Sequence, residues 1–217
     1  MPSGNRQFFD LSPNRPYVLE SGTELSAPQV AYETWGTLDA AASNAILVCH
    51  ALTGDAHAHG DAGPGQATPG WWNDFIGSGK PLDTDRFFVV CANVLGGCQG
   101  STGPASINPS TGRRWGGDFP VVTIRDVVRS QRALAQYLGI QRWMAVVGGS
   151  MGGMQALEWA ASYPDRCGSL VIIASTAAAS AQQIAWSQVG RQAILDDPAY
   201  GQGNYYEANP GDGPHRG

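Results

Sequence analysis

The segment that most constrains the fold is GGSMGG at residues 148–153, in which one serine is surrounded by glycines. The apolar run before it, WMAVVG at 143–148, is typical of a buried β-strand, and residues 151–163 carry apolar side chains at helical spacing. A sharp turn from strand to helix lifts a serine clear of the sheet and places it where backbone N–H groups stabilise negative charge. The segment therefore predicts that Ser150 is a nucleophile on such a turn.

The glycines of this segment are predicted to make the turn possible. Gly148 and Gly152 lack side-chain bulk at its flanks, and Gly149 and Gly153 are expected to give further clearance for close backbone packing. The backbone amide of Met151 is the predicted first donor to an oxyanion. The alternative, a glycine-rich turn without chemistry, is disfavoured by the strand before the turn and the helix after it.

Strand and helix patterns alternate along the rest of the chain. Apolar or alternating runs predict strands, the last of them buried, at 29–35, 45–49, 87–92, 143–148 and 169–174. Helical spacing predicts one helix from Thr123 to just before Gly139, one at 151–163, and one at 181–195 whose apolar side holds Ile184, Val189 and Ile194. Strands alternating with helices indicate an α/β fold with a mostly parallel sheet.

A second oxyanion donor is expected from the loop that follows the strand at 45–49. This loop, HALTG at 50–54, offers a backbone N–H near Leu52 that is predicted to complete the oxyanion hole. Loss of one such donor typically raises a reaction barrier by about 3 kcal/mol. The stretch at 53–85 is too long for an idle connection and is expected to contribute to a site. Its Trp71 and Trp72 fit either the entrance of that site or the core.

Charge and hydropathy narrow the class of partner. The 217 residues include 13 basic and 18 acidic side chains, and the formal net charge of -5 disfavours nucleic acid and anionic membranes as partners. No apolar run reaches the ~18 residues of a membrane helix, and the first ten residues lack the apolar core of a signal peptide. These features predict a cytoplasmic protein that acts on a small molecule.

Cysteine, histidine and arginine patterns support no metal or redox site. Four cysteines, none in a CxxC pair, are predicted to be buried structural thiols: Cys49, Cys91, Cys98 and Cys167. Three histidines in one loop match no zinc spacing and favour a loop packed over the active site: His50, His57 and His59. The adjacent Arg113 and Arg114 favour a solvated surface over a contact with an anionic substrate.

Five segments together resemble the homoserine O-acetyltransferase family. They occur in the expected order from about residue 29 onwards: HALTGDAH at 50–57, NVLGGCQGSTGPAS at 93–106, GGDFP at 116–120, VVGGSMGGMQALEW at 146–159 and YPDR at 163–166. The resemblance implies an α/β-hydrolase fold with a helical lid. It divides the chain into the N-terminal part of the core at 1–180 and the incomplete start of the lid at 181–217.

The resemblance also implies an activity. Ser150 would take an acetyl group from acetyl-CoA and pass it to the side-chain hydroxyl of L-homoserine in methionine synthesis, while the Met151 and Leu52 amides hold the oxyanion. Acetyl-CoA is a co-substrate, and no cofactor or metal is implied. A homodimer is expected at full length. The stretches at 53–85 and 93–106 are candidates for excluding water and positioning the acceptor.

Two members of the expected catalytic triad have no convincing match in the chain. In this fold an acid and then a histidine follow the nucleophile, and the only histidine after Ser150 is His215, in the tail YYEANPGDGPHRG. The resemblance places the acid, the histidine, the rest of the lid and a substrate-binding arginine beyond Gly217. We therefore expect a truncated chain that is inactive as written.

Three alternatives to acetyl transfer onto homoserine remain open. A succinyltransferase acting on homoserine or serine would use the same nucleophile with another acyl donor or acceptor. An esterase would share the turn at Ser150 but would not need the segments at 93–106 and 116–120. A non-catalytic interaction module would bind a protein partner and show no thioester chemistry at full length.

Overall fold

The structure, a computed structural model, describes residues 6–206 and 213–214. It contains a six-stranded sheet whose strands, in spatial order, are β1 (Gln7–Asp10), β4 (Gln29–Trp35), β8 (Phe88–Ala92), β5 (Ala45–Cys49), β9 (Ala145–Gly149) and β10 (Leu170–Ile173). Two short two-stranded pairs lie outside it, β2 (Tyr17–Val18) with β3 (Glu24–Leu25), and β6 (Ile76–Gly77) with β7 (Leu82–Asp83).

Most of the six-stranded sheet is parallel, as the sequence pattern predicts. β8, β5, β9 and β10 run parallel to one another, whereas β4 is antiparallel to β8 and β1 is antiparallel to β4. Every residue of β5 is buried, because helices and loops cover both faces of a central parallel strand. The α/β prediction is confirmed, and the predicted strands agree with the observed ones to within two residues at each end.

The first long helix, α1 (Ile124–Tyr137), begins and ends as its sequence predicts. The Thr123 hydroxyl accepts the Asp126 amide, and the Asp126 carboxylate accepts the Thr123 amide, which completes a capping box. Gly139 follows the helix with φ +78°, a conformation that glycine adopts without steric cost. α1 packs beside α2 (Met151–Ser162), and together they cover one face of the sheet.

The predicted burial of the last strand is wrong. In β10 the side chains of Val171, Ile172 and Ile173 are 40–45% exposed. The reason is topological, since β10 pairs with β9 on one side and forms the edge of the sheet on the other. Its apolar composition is typical of a strand that is covered on both faces. The residues that the structure describes do not supply all of that cover.

Local sequence also produces the third helix, α3 (Ala181–Leu195), without packing it. Ser180 and Gln183 form a capping box at its start. None of its residues is buried: Ile184 and Val189 are exposed and Ile194 is half-buried, so the predicted apolar side meets no core in the described residues. The predicted boundary between core and lid at 180/181 coincides with the start of α3 and stays a prediction.

The prediction that all four cysteines are buried holds for two positions, holds in part for a third and is wrong for the fourth. Cys49 and Cys91 are buried free thiols in β5 and β8, and burial raises the pKa of both. Cys167 is half-buried, and Cys98 is exposed because it lies in a turn outside the sheet. Among the residues that the structure describes, no helix combines the length and apolar character needed to cross a lipid bilayer.

Candidate active site

Ser150 occupies a strained turn between β9 and α2. Its backbone has φ 54° and ψ −122°, a region that residues with a side chain rarely adopt and that costs of order 1–3 kcal/mol. The surrounding structure holds this conformation through two hydrogen bonds, from the Ser150 amide to the Ile173 carbonyl at 3.0 Å and from the Ser175 hydroxyl to the Ser150 carbonyl at 2.6 Å. The strain leaves the Ser150 side chain exposed at the N-terminus of α2.

Three of the four glycines around Ser150 are required by close contacts that leave no space for a Cβ atom. A Cβ on Gly148 would lie 2.2 Å from the Gly152 carbonyl, and one on Gly152 would lie 2.0 Å from the Cys49 carbonyl. A Cβ on Gly153 would lie 2.4 Å from the Ser175 side chain. Gly149 differs, because a Cβ there would meet only ordinary contacts at 3.7 Å or more, so the expected need for clearance at this position is wrong.

Ser150 opens into a pocket of about 450 Å³, which lies within the usual size range of small-molecule sites. Its walls come from the ends of β5, β9 and β10 and from the long loop after β5: Cys49, Ala51, Thr53, Gly54, Trp71, Trp72, Gly149, Ile173 and Ala174. The expectation that the stretch at 53–85 contributes to a site agrees with this lining. Trp71 is 40% exposed at the rim of the pocket, and Trp72 also packs against the core. The tryptophan pair therefore lines the entrance of the pocket and also fills part of the core.

The two predicted oxyanion donors lie on adjacent elements. Met151 is the first residue of α2, so its amide has no carbonyl one turn earlier in the helix to bond and remains available. The close approach of Gly152 to the Cys49 carbonyl brings this helix end against the last residue of β5. Leu52 lies three residues further on, between two residues that line the pocket. The assignment of the Met151 and Leu52 amides to an oxyanion hole stays a prediction.

His50 controls the peptide group that carries the Leu52 amide. Its Nδ1–H donates to the Ala51 carbonyl at 2.7 Å, and its Nε2 accepts the Val94 amide at 3.1 Å. These partners require the neutral ring, and burial lowers the pKa of His50 in the same sense. Because the Ala51 carbonyl and the Leu52 N–H belong to one planar trans peptide, His50 also sets the direction of that N–H. His50 is therefore a positioning residue, with both ring nitrogens engaged.

A chain of buried side-chain amides ties α1 and α2 to the end of β5. The Gln155 amide donates to the His50 carbonyl at 3.3 Å, and Gln131 donates to Gln155 at 2.7 Å. The Trp159 indole N–H donates to the Gln131 oxygen at 2.8 Å. All three side chains are buried, and polar groups in the core require partners of this kind. The sequence analysis missed this network, although glutamines on the apolar faces of two helices were its visible signal.

His57 anchors the pocket loop to the sheet. Its Nδ1 lies 2.9 Å from a carboxylate oxygen of Glu33 on β4, and the Gln66 amide donates to the other oxygen at 2.5 Å. The same loop carries the pocket wall, since the Trp71 amide donates to the His57 carbonyl and the Trp72 amide donates to the Ala58 carbonyl. The prediction that this histidine belongs to a loop over the site agrees with these contacts.

The described chain supplies no acid or base to the pocket. Among described residues the lining holds no histidine, aspartate or glutamate, and His215 lies outside the described residues. The segment at 93–106 does not line the pocket either, contrary to expectation. It packs against β4 instead, where the Ser101 hydroxyl accepts the Ala31 amide and Thr102 bonds Gln29. Within the described residues, no group of three or more potential ligands could hold a metal ion.

Comparison with known proteins agrees with this geometry. A family model described as alpha/beta hydrolase fold matches residues 44–214, which include Ser150 and the pocket loop. The chain belongs to the α/β-hydrolase family. This match confirms the fold predicted from the sequence. The predicted resemblance is confirmed as well, because this α/β-hydrolase is similar to many proteins named homoserine O-acetyltransferase, at 52–58% identity.

The individual matches bear two kinds of name. A homoserine O-acetyltransferase of Thermobifida fusca is 56% identical over all of this chain, and a homoserine O-succinyltransferase of Alkalilimnicola ehrlichii is 57% identical over 89% of it. Among solved structures, homoserine O-acetyltransferase from Bacillus anthracis superposes with a TM-score of 0.85 at 35% identity over 97% of the chain. Esterase E22 superposes with a TM-score of 0.84 at 37% identity over 93%.

The α/β-hydrolase chain spans about half the length of these proteins. It covers 56% of the Thermobifida fusca protein, 50% of the Alkalilimnicola ehrlichii protein, 57% of the Bacillus anthracis structure and 55% of esterase E22. For use in experiments we define the full-length form as a hybrid protein. In it, this chain is continued by the part of the Thermobifida fusca relative that the chain does not match. Activity is tested in that form.

Removal of the buried carboxylate at Glu33 should destabilise the full-length form. Glu33→Ala leaves the His57 ring and the Gln66 amide without their acceptor, and each buried group left unpaired costs about 1–3 kcal/mol. We expect the free energy of unfolding to fall by about 3 kcal/mol in urea titrations. Glu24→Ala, which removes an exposed strand glutamate, is the matched control and should change it by less than about 0.5 kcal/mol. Equal effects of the two substitutions would contradict the anchoring role.

Proposed function

We propose that this chain is the nucleophile-bearing part of a homoserine O-acetyltransferase. The observation that carries the proposal is Ser150, held at φ 54° on the turn between β9 and α2, in a chain whose relatives at 52–58% identity mostly bear that name. The relatives' names support transfer of an acyl group to homoserine. Acetyl-CoA as the donor, the ping-pong order and a place in methionine synthesis are parts of the proposal.

The proposed reaction has two half-reactions at the same serine. The Ser150 oxygen attacks the thioester carbonyl of acetyl-CoA, the carbon–sulfur bond breaks, and CoA leaves as a thiolate while acetyl-serine forms. The hydroxyl oxygen of L-homoserine then attacks the acetyl-serine carbonyl, which releases O-acetylhomoserine and restores Ser150. In each half-reaction the Met151 and Leu52 amides stabilise the oxyanion, and His50 holds the Leu52 amide in place.

Proton transfer in both steps is assigned to a histidine outside this chain. The proposal places that histidine, its acid partner, the rest of the lid and an arginine for the homoserine carboxylate in the part of the relatives' length that this chain does not span. The walls around Trp71 and Trp72 would keep water from the acetyl-serine so that homoserine accepts the acyl group. No metal or cofactor takes part in this scheme, and we place the reaction, carried out by a homodimer, in the cytoplasm.

The acyl donor and acceptor are tested by steady-state kinetics of the full-length form. Acetyl-CoA and succinyl-CoA should be compared as donors, each with L-homoserine and L-serine as acceptors. We expect the highest kcat/KM for acetyl-CoA with homoserine. A tenfold preference for succinyl-CoA would reject the acetyl assignment and leave the acyl-serine mechanism intact, and a preference for serine would reject the acceptor.

Ester hydrolysis is a second candidate function, favoured by the similarity to esterase E22. An esterase passes the acyl group to water, so its pocket needs no side chains that bind the amino and carboxylate groups of an acceptor. The two functions separate when the full-length form is given 4-nitrophenyl acetate or acetyl-CoA without homoserine. Release of acetate that homoserine does not suppress would favour the esterase.

A further inference from the structure

A second cavity lies at the far end of α2 from Ser150. It has a volume of about 400 Å³ and is formed between the segment at 11–18, α1, and Tyr163 just after α2. Ser150 and Tyr163 flank the 12 residues of α2, so they are separated by roughly 20 Å along the helix axis. The two cavities share no lining residue among those described, and the proposed acyl transfer leaves this second cavity without a role.

Three arginines line this cavity, and no acidic side chain does. They are Arg15 from the N-terminal segment and Arg129 and Arg132 from successive turns of α1. This concentration of positive charge is notable in a chain of net charge -5, because the overall charge gives no general attraction to anions. Three like charges around one space repel each other, and a bound anion would relieve that repulsion.

Two of the guanidinium groups are held in place by aromatic rings. The guanidinium carbon of Arg129 lies 5.4 Å from the centroid of the Tyr17 ring, and that of Arg132 lies 4.9 Å from the centroid of the Tyr163 ring. Stacking of this kind orients a guanidinium plane and leaves its N–H edge free to donate. An anion that binds here would therefore meet preorganised donors, which lowers the entropy cost of binding.

The arginines differ in how much of their charge is already neutralised. Arg129 lies 3.4 Å from the buried carboxylate of Asp126, which also accepts the Glu20 amide. Arg15 and Arg132 form no ion pair within the described residues, and the Arg132 Nε is buried there without a hydrogen-bond partner. A buried charged donor without a partner is costly, so the site is incomplete as the chain stands.

We propose that this cavity binds the phosphate group of a small phosphorylated metabolite. Arginine forks match the oxygens of phosphate in paired, charge-assisted hydrogen bonds, and Arg15 and Arg132 are free to provide them. The volume exceeds that of phosphate alone and lies within the range of small-molecule pockets, so a metabolite body fits beside the Tyr17 and Tyr163 rings. The inference does not depend on the acyl-transfer proposal.

Binding is tested by calorimetric titration of inorganic phosphate into the full-length form at low chloride. We expect saturable binding that weakens as chloride is added, because the attraction is electrostatic. Arg132→Gln and Arg15→Gln should each weaken it by about tenfold or more, since each removes a charge-assisted donor. Arg15 is exposed, so its replacement leaves the core intact and separates lost binding from lost folding.

Arg86→Gln is the matched control. Arg86 is another exposed arginine over an aromatic ring, 5.2 Å from the Phe87 centroid, and it lies outside the cavity. The Arg86→Gln substitution removes the same charge from the molecule and should leave phosphate binding unchanged. Absence of saturable binding, or an equal loss in Arg86→Gln and Arg132→Gln, would overturn the proposal, because general charge would then explain the attraction.

Discussion

Replacement of Ser150 by alanine in the full-length form is expected to abolish acyl-enzyme formation and to lower kcat by several powers of ten. The oxygen that attacks the thioester is removed, and the other catalytic groups act only together with it. The fold should survive, because alanine keeps the Cβ that already occupies the φ 54° conformation and removes only an exposed hydroxyl. Mass spectrometry after incubation with acetyl-CoA should show an acetyl adduct on the parent protein alone.

Ser162→Ala is the matched control for this substitution. Ser162 is the last residue of α2, and its hydroxyl bonds Glu158 at 2.6 Å, at the opposite end of the helix from Ser150. It should retain both the adduct and the turnover. An adduct that persists in Ser150→Ala would move the nucleophile to another residue, and the strained turn would then need a different explanation.

The 217-residue chain, expressed as printed, is expected to show essentially no acetyltransferase turnover beside the full-length form. No described residue that lines the Ser150 pocket is a base, and His50 has both ring nitrogens engaged. A neutral serine hydroxyl is a poor nucleophile without a base, and loss of triad members therefore costs several powers of ten in rate. The measurement is CoA release with acetyl-CoA and homoserine for both proteins.

Folding of the printed chain is the control for that comparison. The β10 edge exposes Val171, Ile172 and Ile173 at 40–45%, and α3 exposes Trp186 at 70%. Apolar edges of this kind promote aggregation, so light scattering and circular dichroism should accompany the assay. Comparable turnover by the two proteins would contradict both the missing triad and its chain order, because a histidine of the printed chain would then be the base.

Local sequence determined the elements of this protein because their signals are short-range. The capping box at Thr123 and Asp126, the glycine after α1, and the close approach of Gly148 to Gly152 each depend on neighbours within a few residues. The strand-to-helix turn that carries Ser150 was predictable for the same reason. The four-residue β1 was missed because its pattern, largely exposed, contains no alternation.

Tertiary structure alone decided the contacts that connect distant segments. Glu33 and His57 are 24 residues apart, His50 meets Val94 across 44 residues, and Gln155 reaches the His50 carbonyl across 105. No local pattern encodes such partners, since a buried polar side chain is stable only where the assembled fold supplies a donor or acceptor. The arginine cavity arises in the same way, because the segment at 11–18 and α1 are brought together only by packing.

Burial was the property on which sequence and structure disagreed. The apolar composition of β10 and α3 predicts covered elements, and the described chain leaves them exposed. An apolar pattern states that a side chain needs a partner surface, whereas the arrangement of strands and helices decides whether one is present. The sequence by itself thus determined the turn that carries Ser150 and the α/β order of elements, and the tertiary structure decided which polar groups meet and which apolar faces are covered.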